Sequence, residues 1–377
     1  MVCILSAPAC LIRLFRAAGF PYHDAMPIRT TCIGAYPKPD YIAIGNFAET
    51  EQQQDTVTRA FTYTQDDAEQ VAEELLVDAT RAAILDQIAC GIDIPTDGEQ
   101  RRENYIHYHC RNLEGIDFVN LTRKVHRNGA AVADLPTIRS RIEPRGNHFL
   151  DRDYAIAQRF SDRPVKITVP GPLSIIDTTA NVCYATEREL AFDLADALNY
   201  EIRALAAAGC RYIQVDEPLF VRKTDAALDF GIECLDRCFD GLPDEVTRVM
   251  HMCCGYPGHI DDDAYLKADP ACYFQLARAV DRCSIDQVSI EDAHCLNDLE
   301  LLEHFTRSAV ILGVVTIASS RVESADYIRQ RLELALQHID AERLLAAPDC
   351  GLTMLGREIA MTKLGNMCAA ARAIDRD

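Results

Sequence analysis

Apolar and polar positions follow two rhythms along this chain. Eight short β-rich runs, "TTCIGAY", "GIDIPTDGE", "VKITVPGP", "RYIQVDEP", "RVMHMCC", "QVSIEDAH", "AVILGVVTIASS" and "LLAAPDCG", are separated by longer stretches with apolar residues every three or four positions. The first rhythm is that of strands and the second that of amphipathic helices, so their alternation predicts an α/β fold built on a parallel sheet. Helix ends are marked as well. Thr186 stands three residues before Glu189, a capping box, and the helix it opens is expected to stop at Gly209. Another helix is expected from about Asp67 through Val71, Leu75, Ala79 and Ala83 to Gly91.

Nearly all eight runs end in a Gly, Pro or polar cluster that carries Asp, Glu, His or Cys. A (β/α)8 TIM barrel gathers its chemistry at the C-terminal ends of all its strands, whereas an open doubly wound sheet concentrates it at one switch point. The barrel is therefore the expected architecture. Between Glu99 and Val165 the spacing exceeds one helix, and Asn128-Gly129 signals a hairpin turn, so a hairpin excursion is expected after strand 2. Its Arg123, Lys124, Arg127, Arg139, Arg141 and Arg145 form a basic island, which suits either a solvated face or contact with an anionic part of a substrate. Residues 1–25 are apolar, but Arg13 and Arg16 interrupt them too early for a membrane span and no basic segment precedes them. They read as an extension, with Met26 a candidate start and residues 26–377 a single barrel domain.

Composition narrows the partners. A formal net charge of -20 repels phosphates, which excludes nucleic acid and anionic membrane surfaces and leaves small ligands. The 16 cysteines lie scattered in apolar surroundings without the spacing of a disulfide scaffold, which points to reduced thiols in a cytoplasmic protein, a few of them ligands.

The sharpest chemical signal is the end of the fifth run. On a strand, residues i and i+2 share a side, so His251 and Cys253 can reach one ion while Cys254 turns into the wall. By itself such a pair suits a packed core as well as a metal. On a barrel, Glu291 at the end of "QVSIE" and Cys350 at the end of "LAAPDC" point toward the same axis. Two thiolates, an imidazole and a carboxylate fit Zn2+, not Mg2+ or Ca2+. A thiol that joins such an ion becomes a thiolate at neutral pH, and cysteine ligands keep it reactive, so the set favours alkylation of sulfur over hydrolysis.

"IGAYPKP", "TDGEQRREN", "PGPLS", "IQVDEP", "HMCC", "SIE", "GVVTIASSRVES" and "PDCGL" together resemble the catalytic barrel of cobalamin-independent methionine synthase, over about residues 28–375. The resemblance implies a (β/α)8 barrel that binds zinc and moves an alkyl group onto a zinc-bound thiol, in the short form without a second barrel. It implies His251, Cys253, Glu291 and Cys350 as zinc ligands, with Glu99 and Asp216 holding the amino group of homocysteine. Three positions depart from the pattern. Ala35 replaces a serine that touches substrate, Thr178 replaces a tryptophan that stacks on the pterin of the donor, and Ala318 replaces a proton-donating histidine, with Thr316 where an aspartate precedes it. The chain has no tryptophan at all.

Without that platform and that acid, a methyltetrahydrofolate donor is not expected. A methylated corrinoid protein or a sulfonium, having a better leaving group, would need neither. An epoxide, as used by the related epoxyalkane:coenzyme M transferases, would need its alkoxide stabilised, for which His107, His109, Tyr256 and His294 are the candidates. Three functions follow: a zinc-dependent methyltransferase acting on homocysteine or a close thiol, a thiol:epoxide alkyltransferase, and a barrel that binds a thiol or metal without turnover. Glu99 and Asp216 favour an amino-acid thiol, hence the first. The expected partners are a small thiol and an alkyl donor, with a homo-oligomer left open.

Overall fold

The computed structural model describes residues 28–42, 73–126, 131–256, 259–262 and 267–374. The extension over residues 1–25, the start of the first expected helix, Arg127 and the Asn128-Gly129 turn lie outside the described residues. Seven of the strands form one parallel sheet in the order β1-β10-β9-β8-β7-β6-β4. They are β1 (Arg29–Thr30), β4 (Lys166–Pro170), β6 (Tyr212–Asp216), β7 (Thr247–Met252), β8 (Gln287–Ile290), β9 (Ala309–Val315) and β10 (Leu344–Pro348). Each overlaps one of the runs read from the sequence, with β1 and β7 starting one residue earlier, at Arg29 and Thr247.

The second run, residues 91–99, makes no regular strand. Instead it joins the two edges of the sheet by single parallel bridges, Thr31 with Ile94 and Thr96 with Lys166. The Ile94 N–H donates to the Thr30 carbonyl (3.1 Å) and the Lys166 N–H to the Pro95 carbonyl (2.8 Å). Pro95 has no N–H to extend the ladder, and Gln87 takes both backbone groups of Thr96, so the segment is satisfied without longer pairing. The sheet is curled. Ile33, Ile94, Val249, Ile311, Leu345 and Ala347 form one buried cluster, and side chains from strands this far apart in the order meet only across a concave face. Their strand neighbours, such as Ile167, Val169, Ile213, Val215 and Met250, face the other way into a larger cluster beneath the helices.

The helix Glu187–Ala207 starts where the capping box places it, with Thr186 accepting from the Glu189 N–H, and Gly209 at φ +97° follows its end. Leu190, Leu194, Leu198 and Ile202 bury its sheet-facing stripe at the period expected of an amphipathic helix. In the helix Glu73–Cys90, which ends before Gly91 at φ +103°, the buried stripe runs through Leu76, Ala79 and Ala83. Leu75, expected on that face, is exposed, because the helix turns Leu76 inward.

Beside the parallel sheet, β2 (Leu113–His126) pairs antiparallel with β3 (Ala131–Pro144), which also carries the short parallel strand β5 (Ala180–Asn181). The basic island sits here and is neutralised locally. Arg123 meets Asp134, Arg139 meets Asp117, Arg141 meets Asp193 and Arg145 meets Glu114. Lys124 donates to the carbonyls of Ile176, Asp177 and Thr179, where its charge suits the C-terminal end of the short helix Pro172–Asp177. No described helix is long and apolar enough to cross a membrane.

Candidate metal and thiol site

The C-terminal ends of the parallel strands open onto a cavity of about 180 Å³. Strand alternation puts the chemistry there. On β7, Val249 belongs to the inner cluster while Met250, Met252 and Cys254 belong to the outer one, so His251 and Cys253 face inward. The ligand atoms of His251, Cys253 and Cys350 lie within 4.8 Å of one another. His251 Nδ1 lies 3.0 Å from Ser289 Oγ, its register partner on β8, whereas the buried Nε2 has no partner among the described residues. With one nitrogen held and the other bare beside two thiols, this imidazole is arranged as a metal ligand. Beside Cys350 and His251, the Cys253 thiol is held well below its usual range, while Cys350, next to Cys253, is pushed well up. The described cysteines are all free thiols.

Glu291, the fourth expected ligand, stands in adjoining groups, one with Cys254 and Cys295 and one with His294 and Asp349. Its carboxylate accepts from the Cys254 N–H at 2.9 Å and contacts the Lys267 ammonium. Asp349 organises the loop that follows β8. It accepts from the backbone N–H groups of Asp292, Ala293 and His294 and pairs with His294 Nδ1 at 2.6 Å. His294 therefore braces this loop and is not among the residues that line the cavity. Gly313 makes room for Asp349: an added Cβ would lie 2.2 Å from its Oδ1 and 2.9 Å from its Cα. Gly313→Ala is expected to lower stability by about 1–3 kcal/mol, measured by urea unfolding, because backbone on the opposite strand cannot yield.

Ala35, Glu99, Thr178, Asp216 and Tyr256, all singled out in the sequence, line the cavity. Burial pushes the Asp216 carboxyl up to about 7; His251 opposes the shift, Glu99 adds to it, and Gln214 donates to Oδ1 at 2.7 Å. Glu99 sits at φ +54°, a conformation that costs a non-glycine residue about 1–2 kcal/mol. The turn is held by the Glu99 N–H donating to Asp97 and by Lys38 donating to the carbonyls of Glu99 and Arg102, both at 2.9 Å. Thr168 then donates to the Glu99 carboxylate at 2.7 Å. The adjacent acid of the "DEP" sequence does other work. Glu217 accepts from Leu173 and Ser174 at the start of the helix Pro172–Asp177, outside the cavity.

The other histidines proposed as alkoxide stabilisers are scaffolding. His107 Nε2 bonds the Thr178 carbonyl at 3.2 Å, and His109, packed against Phe149 and Tyr108, bonds the Tyr105 carbonyl at 2.8 Å. Burial holds His109 well below the usual imidazole range, so it stays neutral. Ala318 lies after β9 and is likewise not among the cavity-lining residues. Sequence reasoning passed over Lys38, Arg102 and Tyr105 in the cavity wall and Ser289 behind His251. For Ser289 a signal existed, since it precedes Glu291 by two positions on a strand; for the others only their presence in or beside quoted motifs.

The model of the cobalamin-independent synthase catalytic domain matches residues 28–373. Methionine synthase of Thermococcus kodakarensis is 30% identical over 353 residues, covering 92% of this chain and 94% of that protein. The Saccharolobus solfataricus methionine synthase is 29% identical over 349 residues, covering 92% and 94%. The structure of a B12-independent methionine synthase from Shewanella sp. W3-18-1 in complex with selenomethionine superposes with a TM-score of 0.78 at 28% identity, over 93% of this chain and 98% of that one. The chain belongs to the cobalamin-independent methionine synthase family, by way of its catalytic domain.

Proposed function

We propose that this protein is a zinc-dependent transferase that places a methyl group on the sulfur of a thiol, with homocysteine the leading acceptor and a donor other than a folate. The observation that carries the reading is the convergence of His251, Cys253 and Cys350, with a bare imidazole nitrogen, in the wall of a cavity that also holds Glu99 and Asp216. One imidazole and two thiols suit Zn2+, with Glu291 the proposed fourth ligand. Zinc bound there would lower the pKa of a thiol that joins it, supplying a thiolate at neutral pH.

The chain's own residues do the rest. Glu99 and Asp216 present carboxylates to the acceptor's ammonium, which favours an amino-acid thiol over a sulfonate. The buried wall keeps water from the reacting sulfur, and Ser289 fixes the ring of His251. The names of the curated relatives support methionine as the product. Thr178 offers no aromatic platform, and its hydroxyl is turned back onto the Ser174 carbonyl, which supports a donor that brings its own leaving group, such as a methylated corrinoid protein or a sulfonium. We further propose that the curled sheet and the two bridges through residues 92–96 close a (β/α)8 barrel, and that the free thiols reflect a cytoplasmic setting.

The test is metal analysis joined to zinc-edge X-ray absorption with a panel of thiols. About one zinc per chain, and a new zinc–sulfur contact with homocysteine, are expected. No zinc, or an unchanged edge with every thiol, would sink the reading. Ser289→Ala is expected to weaken zinc binding by about 10- to 100-fold in chelator competition, since the imidazole loses the partner that orients it.

A further inference from the structure

The cavity wall contains a hydroxyl that nothing in the fold uses. Among the residues lining it, Thr178 donates to the Ser174 carbonyl (2.9 Å) and Tyr256 donates to the Gly351 carbonyl (3.0 Å). Tyr105, the first residue of the short helix Tyr105–Cys110, is half-buried, and its hydroxyl makes no hydrogen bond with any described residue. Asn104 caps that helix by accepting from the Ile106 and His107 N–H groups, and the Tyr105 carbonyl bonds His109, so the backbone is fixed while the hydroxyl is left over.

Tyr105 lines the same cavity as His251, Cys253, Cys350, Glu99 and Asp216. Burial pushes its phenol well above the usual value, so it stays a neutral O–H donor. Its hydroxyl is bonded to neither cysteine, and a third sulfur brought to His251, Cys253 and Cys350 would enter the cavity whose wall it helps to form.

We infer that Tyr105 is a further substrate-contacting residue, whose hydroxyl donates a hydrogen bond to the sulfur of the acceptor thiol. This rests on the thiol-alkylation reading above. In the transfer, a sulfur lone pair forms the new S–C bond, the bond from carbon to the donor breaks and its electron pair leaves with the donor. The phenol keeps its proton throughout. Because the sulfur is most negative before attack, the hydrogen bond stabilises bound thiolate more than the transition state. Tyr105 thus binds and orients the nucleophile at some cost to its reactivity, and it makes the site selective for a thiolate over a thioether product, whose neutral sulfur accepts poorly.

The experiment is Tyr105→Phe, which keeps the ring and removes only the oxygen. The KM for homocysteine is expected to rise about 10- to 100-fold, as for loss of a hydrogen bond to a charged group, while kcat holds or increases. Loss of kcat with unchanged KM would overturn the assignment, because a merely structural defect or a role in protonating the leaving group gives that pattern. A second readout needs no turnover. In protein loaded with Co2+ and titrated with homocysteine, the thiolate-to-cobalt charge-transfer band should move to lower energy in the variant, since a sulfur without a hydrogen bond gives up its electron more readily. An unmoved band would also overturn it. If the wild type gains no band with any thiol beyond that of its own Cys253 and Cys350, the thiol reading fails as a whole; an added band at the same energy in both proteins sinks Tyr105 alone.

Discussion

Cys253→Ser is expected to strip the protein of zinc and abolish alkyl transfer, whereas Cys254→Ser, one position on, leaves the metal in place. Cys253 stands with Cys350 and His251, their ligand atoms within 4.8 Å of one another and all three lining the same cavity. A serine hydroxyl in that place would not ionise near neutral pH, and its harder oxygen would not replace a thiolate on a borderline-soft ion. The affinity lost should exceed the roughly 10- to 100-fold typical when a residue behind a ligand is removed. Cys254 lies in the outer cluster, its Sγ 3.7 Å from the Tyr273 hydroxyl and its N–H on Glu291. Zinc content after gel filtration separates the two outcomes directly. Equal loss in both variants would mean that the strand alternation assigned to β7 is out of register.

That alternation was legible because it needs only two facts, that "RVMHMCC" is a strand and that strand side chains alternate. The same logic extended from β7 to Cys350, since a strand end fixes where its next residue goes. It did not extend to the carboxylate of Glu291. A long side chain at a strand end is placed by what it bonds, and Glu291 bonds the Cys254 N–H and the Lys267 ammonium, partners 37 and 24 positions away. His294 escaped for the same reason: its ring direction is set by Asp349, which reaches back from the end of β10 through the space left by Gly313. The basic island, left open between a solvated face and a substrate contact, shows the same limit from the other side. Local charge looked unbalanced along the sequence, but Asp117, Asp134 and Asp193 lie across the hairpin or on a neighbouring helix, and pairing is a property of the fold. The weakest of the strand runs, "GIDIPTDGE", was correctly placed between the first and third strands, though its proline and the side chain of Gln87 limit it to single bridges.

Lys363→Met is expected to destabilise the fold by about 3–5 kcal/mol, the scale on which removing one partner of a buried ion pair acts. Lys363 lies on the helix Arg357–Ala373 and is fully buried, its ammonium 2.9 Å from the Glu323 carboxylate and 3.0 Å from the Thr316 carbonyl. Glu323 in turn accepts from the Thr316 N–H and hydroxyl. The cluster locks the chain just after β9 to the last helix, behind the loop that carries Ala318. It also accounts for Thr316: an aspartate there would set a second carboxylate against Glu323 with one lysine to serve both, whereas a threonine donates to the acid already present. Removing Lys363 leaves the Glu323 carboxylate buried without a counter-charge, and its two bonds to Thr316 do not offset that desolvation. Urea unfolding should show the loss, and Lys363→Met combined with Glu323→Leu should recover most of it, because replacing both charges by apolar groups removes the penalty along with the attraction. If the double variant is no more stable than the single, the cost lies in packing of the helix and not in the uncompensated charge.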